Sequence, residues 1–245
     1  REYVRDVLYR FQRKPAGPTT LSAVAQLLQR SRNARGAGHI PVVVTFNYDD
    51  LLERELRARR VKFNAVYDAT RRPAKPLSIL HVHGYLPWKS QVPFEEIVLT
   101  EDEYHRRSFA AFHWSHIDLA SLLRNYSVLF IGLSMSDPNL RRVLSASNGA
   151  HDGTNHWVLR REYAVSDEQR ARARQTISEA ARLQAERLGV YGAEKKNRSL
   201  DRALDEMLVQ ARTYETDLLS GVGVESIWLR SYDEIPRFLR RIGNE

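Results

Sequence analysis

Three short apolar runs, each ending in a polar cluster, set the strongest limit on what this chain can fold into. The first is Val42-Val43-Val44-Thr45-Phe46-Asn47-Tyr48-Asp49. The second starts at Leu77 and ends in His81-Val82-His83-Gly84. The third is Phe130-Ile131-Gly132-Leu133-Ser134, with Asp137-Pro138 just beyond. A short continuous run of β-branched and apolar residues is the pattern of a strand buried on both faces. In an open α/β sheet, ligands bind outside the carboxyl ends of such strands. One cleft can therefore collect an Asn, a His, a Gly-Ser turn and an Asp.

The remaining pattern supports that layout. Residues 2–12 read as a helix, and Thr19 or Thr20 caps a second one. Strand Val42–Phe46 leads into a helix over Tyr48–Arg60 with Leu51, Leu52 and Leu56 inward. Strands follow at Phe63–Tyr67, Leu77–Val82 and Ile97–Leu99, then a capping box at Thr100-Glu101-Asp102-Glu103. A helix over Ile117–Arg124 precedes strand Ser127–Ile131, and Pro138 opens another helix. Trp157–Leu159 and Ser226–Leu229 are strands, and Asp233–Ile242 is the last helix.

This alternation predicts an α/β fold, a Rossmann-like parallel sheet with helices on both faces. The stretch 166–219 departs from it, with two long helical patterns around a polar turn at 189–199. We read it as a helical insertion, either a partner surface or a packed subdomain. Residues 1–165 and 220–245 then form the Rossmann-type domain.

Composition narrows the function classes. Hydrophobic residues at 42% and charged residues at 28% fit an ordinary soluble globular protein. No apolar run approaches the ~20 residues that cross a bilayer, and the start has no secretory core. A cytoplasmic protein with no membrane contact is expected. The absence of cysteine excludes disulfides, a thiol nucleophile and a Cys-ligated zinc. The formal charge of +8 is carried mostly by arginine, which suits phosphate recognition or a solvated basic surface. The arginines are scattered among acids rather than blocked together, which favours the surface reading over a nucleic-acid tail.

Each candidate site residue has a chemical and a structural reading. Asn47 can hold a ribose hydroxyl or a water through its amide, and Asp49 can brace the loop; both residue types also cap helices. His83 suits a general base or a structural strand end, and Gly84 lets a ligand approach the backbone. His81 is expected to face away from His83, under the cleft or against a neighbouring helix, so that the two do not chelate one metal. Gly132 and Ser134 offer amides and a hydroxyl to phosphate or ribose oxygens. Asp137 can accept ribose hydroxyls or cap the helix at Pro138.

Taken together, these segments resemble the sirtuin-like family. Thr45-Phe46-Asn47-Tyr48-Asp49 is similar to its Thr-Gln-Asn-Ile-Asp segment, His83-Gly84 to its His-Gly, and Gly132-Leu133-Ser134 to its Gly-Thr-Ser turn. The longer forms, Thr-Phe-Asn-Tyr-Asp-Asp-Leu-Leu-Glu, His-Val-His-Gly-Tyr and Gly-Leu-Ser-Met-Ser-Asp-Pro-Asn-Leu, are closer to the bacterial branch found in anti-phage defence.

The resemblance implies a nucleotide cleft with catalytic Asn47 and His83. Thr45, Phe46, Asp49, Gly84, Tyr85, Gly132, Ser134 and Asp137 would contact NAD+. It implies NAD+ as substrate, cleaved to nicotinamide and ADP-ribose, with depletion of NAD+ during abortive infection. It also implies a homo-oligomer and a defence partner (an ATPase, an Argonaute or a phage-sensing module) through which nucleic acid would act. Two departures stand out. The family's first strand and Gly-rich phosphate loop are missing, so the chain, which starts at Arg1, reads as a fragment. The four-Cys zinc ribbon of the deacetylases is also missing, which favours NAD+ hydrolysis without zinc over acyl-lysine chemistry. The alternative is a sensor or scaffold that binds NAD+ or ADP-ribose without turnover and acts through oligomerisation. A nucleic-acid-binding role rests on net charge alone.

Overall fold

Strand β1 (Val42–Thr45) is four consecutive β-branched residues, the residue type whose stiff side chains suit an extended, packed backbone. It pairs in parallel with β3 (Ser78–His81), Val42 opposite Ser78 and Thr45 opposite His81. Strand β2 (Asn64–Val66) pairs in parallel with the other side of β3. The order β1-β3-β2 makes β3 central, and all four of its residues are buried. In this computed structural model the described residues are 2–10, 19–32, 39–71, 77–89, 97–98, 100, 102–103, 113–147, 155–188 and 197–243.

Successive strand side chains point to opposite faces, and each face has its own cover. On one face, Val43 and Ile79 pack with Ala25 and Leu28 of α2 (Thr20–Ser31) and with Leu56 of α3 (Leu51–Ala58). On the other, Val42, Val44, Val66 and Leu80 meet Trp114 and Leu122 of α4 (Trp114–Asn125). The expected parallel sheet between helical layers is thus present in this part of the chain.

The chain forms two compact units. The first contains Arg1–Val128, Leu133–Thr154 and Ser231–Glu245, the second Leu129–Gly132 and Asn155–Arg230. Besides the sheet just described, the first unit holds α1 (Glu2–Arg10), α5 (Pro138–Ser147) and the closing α8 (Ile235–Ile242). The second is built on a sheet of order β4-β5-β6, with β4 at Val128–Phe130, β5 at His156–Arg161 and β6 at Val224–Leu229. β5 and β6 run parallel with His156 opposite Val224. Its two long helices are α6 (Asp167–Leu188) and α7 (Asn197–Ser220).

Within the second unit α7 lies on β6. Leu219 and Val224 are buried, Trp228 donates its indole N–H to Thr216 Oγ1 at 3.2 Å, and Arg160 and Tyr163 both reach Glu215. Helices α6 and α7 are joined differently, by Arg170–Asp205 and Arg174–Asp201 pairs, each at 2.5 Å. Ile177, Leu183, Met207 and Val209 remain exposed on these helices. Among the described residues no helix is long and apolar enough to cross a membrane.

Several boundaries differ from the sequence reading, each for an identifiable reason. The helix expected from Tyr48 starts only at Leu51, because side chains tie residues 47–50 into a loop. The helix expected from Ile117 starts at Trp114, since His113 Nδ1 accepts the Ser115 N–H at 3.3 Å and caps it. Ile97 and Val98 are buried but are not a strand. Val98 makes a backbone bond to the His83 carbonyl at 3.0 Å in place of a ladder. The capping box at Thr100 is formed, with Thr100 N–H to Glu103 Oε2 at 3.1 Å and Glu103 N–H to Thr100 Oγ1 at 3.2 Å. Leu99 and the rest of that helix lie outside the described residues.

The two kinds of contact differ in worth. Leu56 is fully buried, so Leu56→Ala is expected to cost about 2–5 kcal/mol of unfolding free energy. The Arg174–Asp201 pair is partly exposed, at 39% and 31%, so Arg174→Ala is expected to cost less than about 1 kcal/mol. Denaturant titration of both variants checks the contrast.

Candidate functional site

The loop after β1 is held from four sides. Asn47 donates its backbone N–H to Thr45 Oγ1 at 3.1 Å. Its carbonyl lies 3.2 Å from His81 Nδ1. Asp49 Oδ1 accepts the Leu51 N–H at 3.1 Å, turning the chain into α3. Tyr48 reaches the Val98 carbonyl with its hydroxyl, and its own carbonyl accepts the Leu86 N–H at 2.7 Å. From α1, the Tyr9 hydroxyl accepts the Asp50 N–H at 2.9 Å and stands 2.8 Å from the Leu86 carbonyl. Burial pushes the Tyr9 hydroxyl far above its ordinary range, so it stays a neutral donor.

The turn after β3 is equally constrained. Gly84 has φ of 109°, a conformation other residues rarely adopt, and its N–H reaches the His81 carbonyl at 3.2 Å. In a regular strand residues two apart share a face, so it is this turn, where the chain leaves β3 after His81, and not strand periodicity that sends His83 and His81 to opposite sides. His81 is buried at 1% exposure, with Nε2 2.5 Å from Glu53 Oε1 on α3. His83 faces a cleft within the first unit and stands edge-on to Phe46, ring centroids 4.9 Å apart.

The cleft is lined by Phe46, Val82 and His83 from the strand ends, Val98, the first turns of α4 through Ser115, His116 and Leu119, and Asp137, Asn139, Leu140 and Val143 at α5. Of the candidate contacts, Phe46, His83 and Asp137 line it. Asn47 is exposed beside Phe46. Thr45 and Gly84 lie behind, shaping the two turns. Tyr85 does not line the cleft; it is buried, its ring stacked on Tyr67 at 5.2 Å and tilted against His81 at 4.2 Å. Burial and the nearby Glu53 and Asp50 push its hydroxyl up.

Asp137 caps α5, its Oδ1 accepting the Asn139 and Leu140 N–H groups at 2.8 and 3.2 Å. Ser134 is exposed, 2.6 Å from Ser136 through their hydroxyls. Between them Met135 is buried with φ of 59°, and its carbonyl accepts Arg141 Nε at 2.6 Å. A non-glycine residue held there stores strain. Gly132, with φ of 72°, belongs to the second unit. Arg124 sits in the last turn of α4, away from the lining, and His105 lies outside the described residues.

Sequence reading missed Ser115, His116 and Asn139. The available signal was His113-Trp114-Ser115-His116, two histidines three apart, which on a helix share a face.

A sequence profile described as a SIR2-like domain matches residues 41–188, well over half of the chain. The chain belongs to the SIR2-like domain family. Among curated relatives, an NAD(+) hydrolase ThsA from Enterococcus faecium is 30% identical over 139 residues, covering 54% of this chain and 26% of that protein. One from Bacillus cereus (strain MSX-D12) is 24% identical over 204 residues, covering 82% and 36%. One from Cytobacillus dafuensis is 31% identical over 153 residues, covering 58% and 28%. The matched part of this SIR2-like chain thus spans roughly a quarter to a third of those relatives. The profile includes both turns that carry Asn47 and His83 and extends through α6.

Two site residues have measurable consequences for stability. Burial, then the Glu53 charge, raise the Asp49 carboxyl above its usual range, while the Leu51 N–H and His81 pull the other way. A carboxyl raised in the folded state binds its proton more tightly there than when unfolded. Stability therefore falls as pH rises from the ordinary carboxyl pKa through the raised one. Asp49→Asn keeps an acceptor for Leu51 and is expected to flatten that limb and to melt higher at neutral pH; thermal melts across pH 3–8 check it. Gly84→Ala is expected to cost about 1–3 kcal/mol through its positive φ, read by the same melts at one pH.

Proposed function

We propose that this chain is the catalytic domain of an NAD+ glycohydrolase that depletes NAD+ in anti-phage defence. The observation that carries the proposal is one cleft with His83 and Phe46 at the carboxyl ends of paired strands, with Asn47 next in sequence to Phe46 and its N–H bonded to Thr45 Oγ1. Three relatives bearing the name NAD(+) hydrolase support the substrate.

In the proposed reaction, the bond between ribose C1′ and the nicotinamide nitrogen breaks. Its electron pair goes to the pyridinium ring, which leaves as neutral nicotinamide. The positive charge left at C1′ is shared with the ring oxygen. Water adds at C1′, and His83 takes the proton of that water, directly or by way of a ribose hydroxyl that passes its own proton on and is refilled by the water's. The product is ADP-ribose. Asn47 orients the ribose or the water through its amide. Fixing both of its backbone groups beforehand lowers the cost of that orientation. The adenosine half would extend towards Ser134 and Asp137. Thr45, Phe46, Asp49, Gly84 and Tyr85 form or support the nicotinamide-ribose end.

A cytoplasmic homo-oligomer, released to act by a defence partner that senses phage or handles nucleic acid, fits the resemblance to the defence branch. Nicotinamide release from NAD+ by the full chain tests the reading. His83→Ala is expected to lower kcat by about 10²–10⁴-fold, and Asn47→Ala to lower it as well, with both variants folded. A folded chain that is stabilised by NAD+ yet releases no nicotinamide, with candidate partners present, would instead make it a nucleotide sensor.

A further inference from the structure

Behind the cleft lies a buried ionisable pair that the reaction above does not use. Glu53 on α3 is 0% exposed and His81 at the end of β3 is 1% exposed. His81 Nδ1 lies 3.2 Å from the Asn47 carbonyl oxygen. A carbonyl oxygen only accepts, so Nδ1 carries a proton. On the other side Nε2 is 2.5 Å from Glu53 Oε1, and a contact that short needs a second proton between the two atoms. Either an imidazolium donates to a carboxylate, or a carboxylic acid donates to a neutral ring. Both arrangements have zero net charge.

Glu53 Oε2 has no hydrogen-bond partner among the described residues. Among the described residues the ring is thus the carboxyl group's hydrogen-bond partner. Such a pair is poor value as a stabiliser, since well-packed apolar side chains in its place are often as stable or more so. What it offers instead is orientation, because a ring bonded at both nitrogens cannot rotate or flip without losing both bonds.

We propose that Glu53 and His81 are positioning residues for Asn47: a shared proton locks the His81 ring so that its Nδ1–H holds the Asn47 carbonyl. Thr45 Oγ1 holds the Asn47 N–H from the other side at 3.1 Å. The peptide groups flanking Asn47 are therefore pinned, while the residue itself remains exposed. The pair never touches substrate and acts only through the residue that does. The inference rests on Asn47 acting at the ribose as proposed above.

Two measurements on the full chain test it. The first is nitrogen NMR of the labelled imidazole ring of His81, its signal identified by loss in His81→Asn. The expected spectrum has Nδ1 protonated at neutral pH. A bare Nδ1 overturns the proposal whatever the activity. The second is steady-state release of nicotinamide from NAD+. His81→Leu is expected to lower kcat by up to about 100-fold, the scale of a small misplacement of a reacting group, with KM changed much less. His81→Asn, whose side-chain N–H reaches where Nδ1 stood, is expected to recover most of that loss.

Wild-type kcat in a folded His81→Leu, a loss confined to KM, or equal impairment in the Leu and Asn variants would each overturn the proposal. Should His81→Leu not fold, the Glu53 variants decide. Glu53→Gln can still bond Nε2 and is expected to retain kcat, whereas Glu53→Leu is expected to lose it; equal kcat in the two overturns the proposal. Absence of nicotinamide release from the wild-type chain, or full activity in Asn47→Ala, would refute the hydrolase reading instead. The ring-nitrogen measurement would then still decide the state of the pair.

Discussion

The parallel pairing of Thr45 with His81 is the contact on which the site depends. It sets the two strand ends level, so the residues just beyond each enter one region. The Val82 N–H bonds to the Thr45 carbonyl at 3.2 Å and extends the ladder by one step. From there Asn47 and His83 are each two residues past a paired residue. Because the side-chain period is two, a slip of one residue would turn His81 away from Glu53 on α3 and exchange the apolar sets of the two faces. The apolar residues on both faces, Ile79 towards α2 and α3 and Leu80 towards α4, resist that slip.

The apolar layers offset a site that is costly by itself. Behind the loop sit Asp49, Asp50, Glu53 and His81, all near one another and largely withdrawn from water. Gly84 and Met135 add turns in backbone regions that ordinary residues avoid. Polar and strained features concentrate where function resides, and the core beneath must supply the stability they forgo. The second unit follows a different economy. Its β5–β6 sheet buries Val158, Leu159 and Val224, whereas its long helices meet through partly exposed ion pairs and leave apolar side chains uncovered.

Most of the fold was legible because buried strands and amphipathic helices leave period and composition in the chain. Val42–Thr45 reads as a strand by its β-branched run, and the start of α6 reads from Ser166, whose hydroxyl accepts the Gln169 N–H at 3.2 Å. The boundary at Tyr48 was misplaced for a non-local reason. Tyr48 to Asp50 has helical neighbours, yet bonds from Thr45, His81 and Tyr9 keep it a loop. Two of those partners are more than thirty residues away in sequence, and no local pattern announces them.

The chain by itself determined which residues end the strands and that these 245 residues bring no cysteine. These follow from periodicity and composition, which are local properties. Only the tertiary structure decided that His81 meets Glu53, that Tyr85 packs beneath the turn, and that Ser115, His116 and Asn139 complete the cleft. Those contacts depend on how helices settle on a sheet, and packing between distant segments is set by the shape of the assembled layers rather than by any one stretch of sequence.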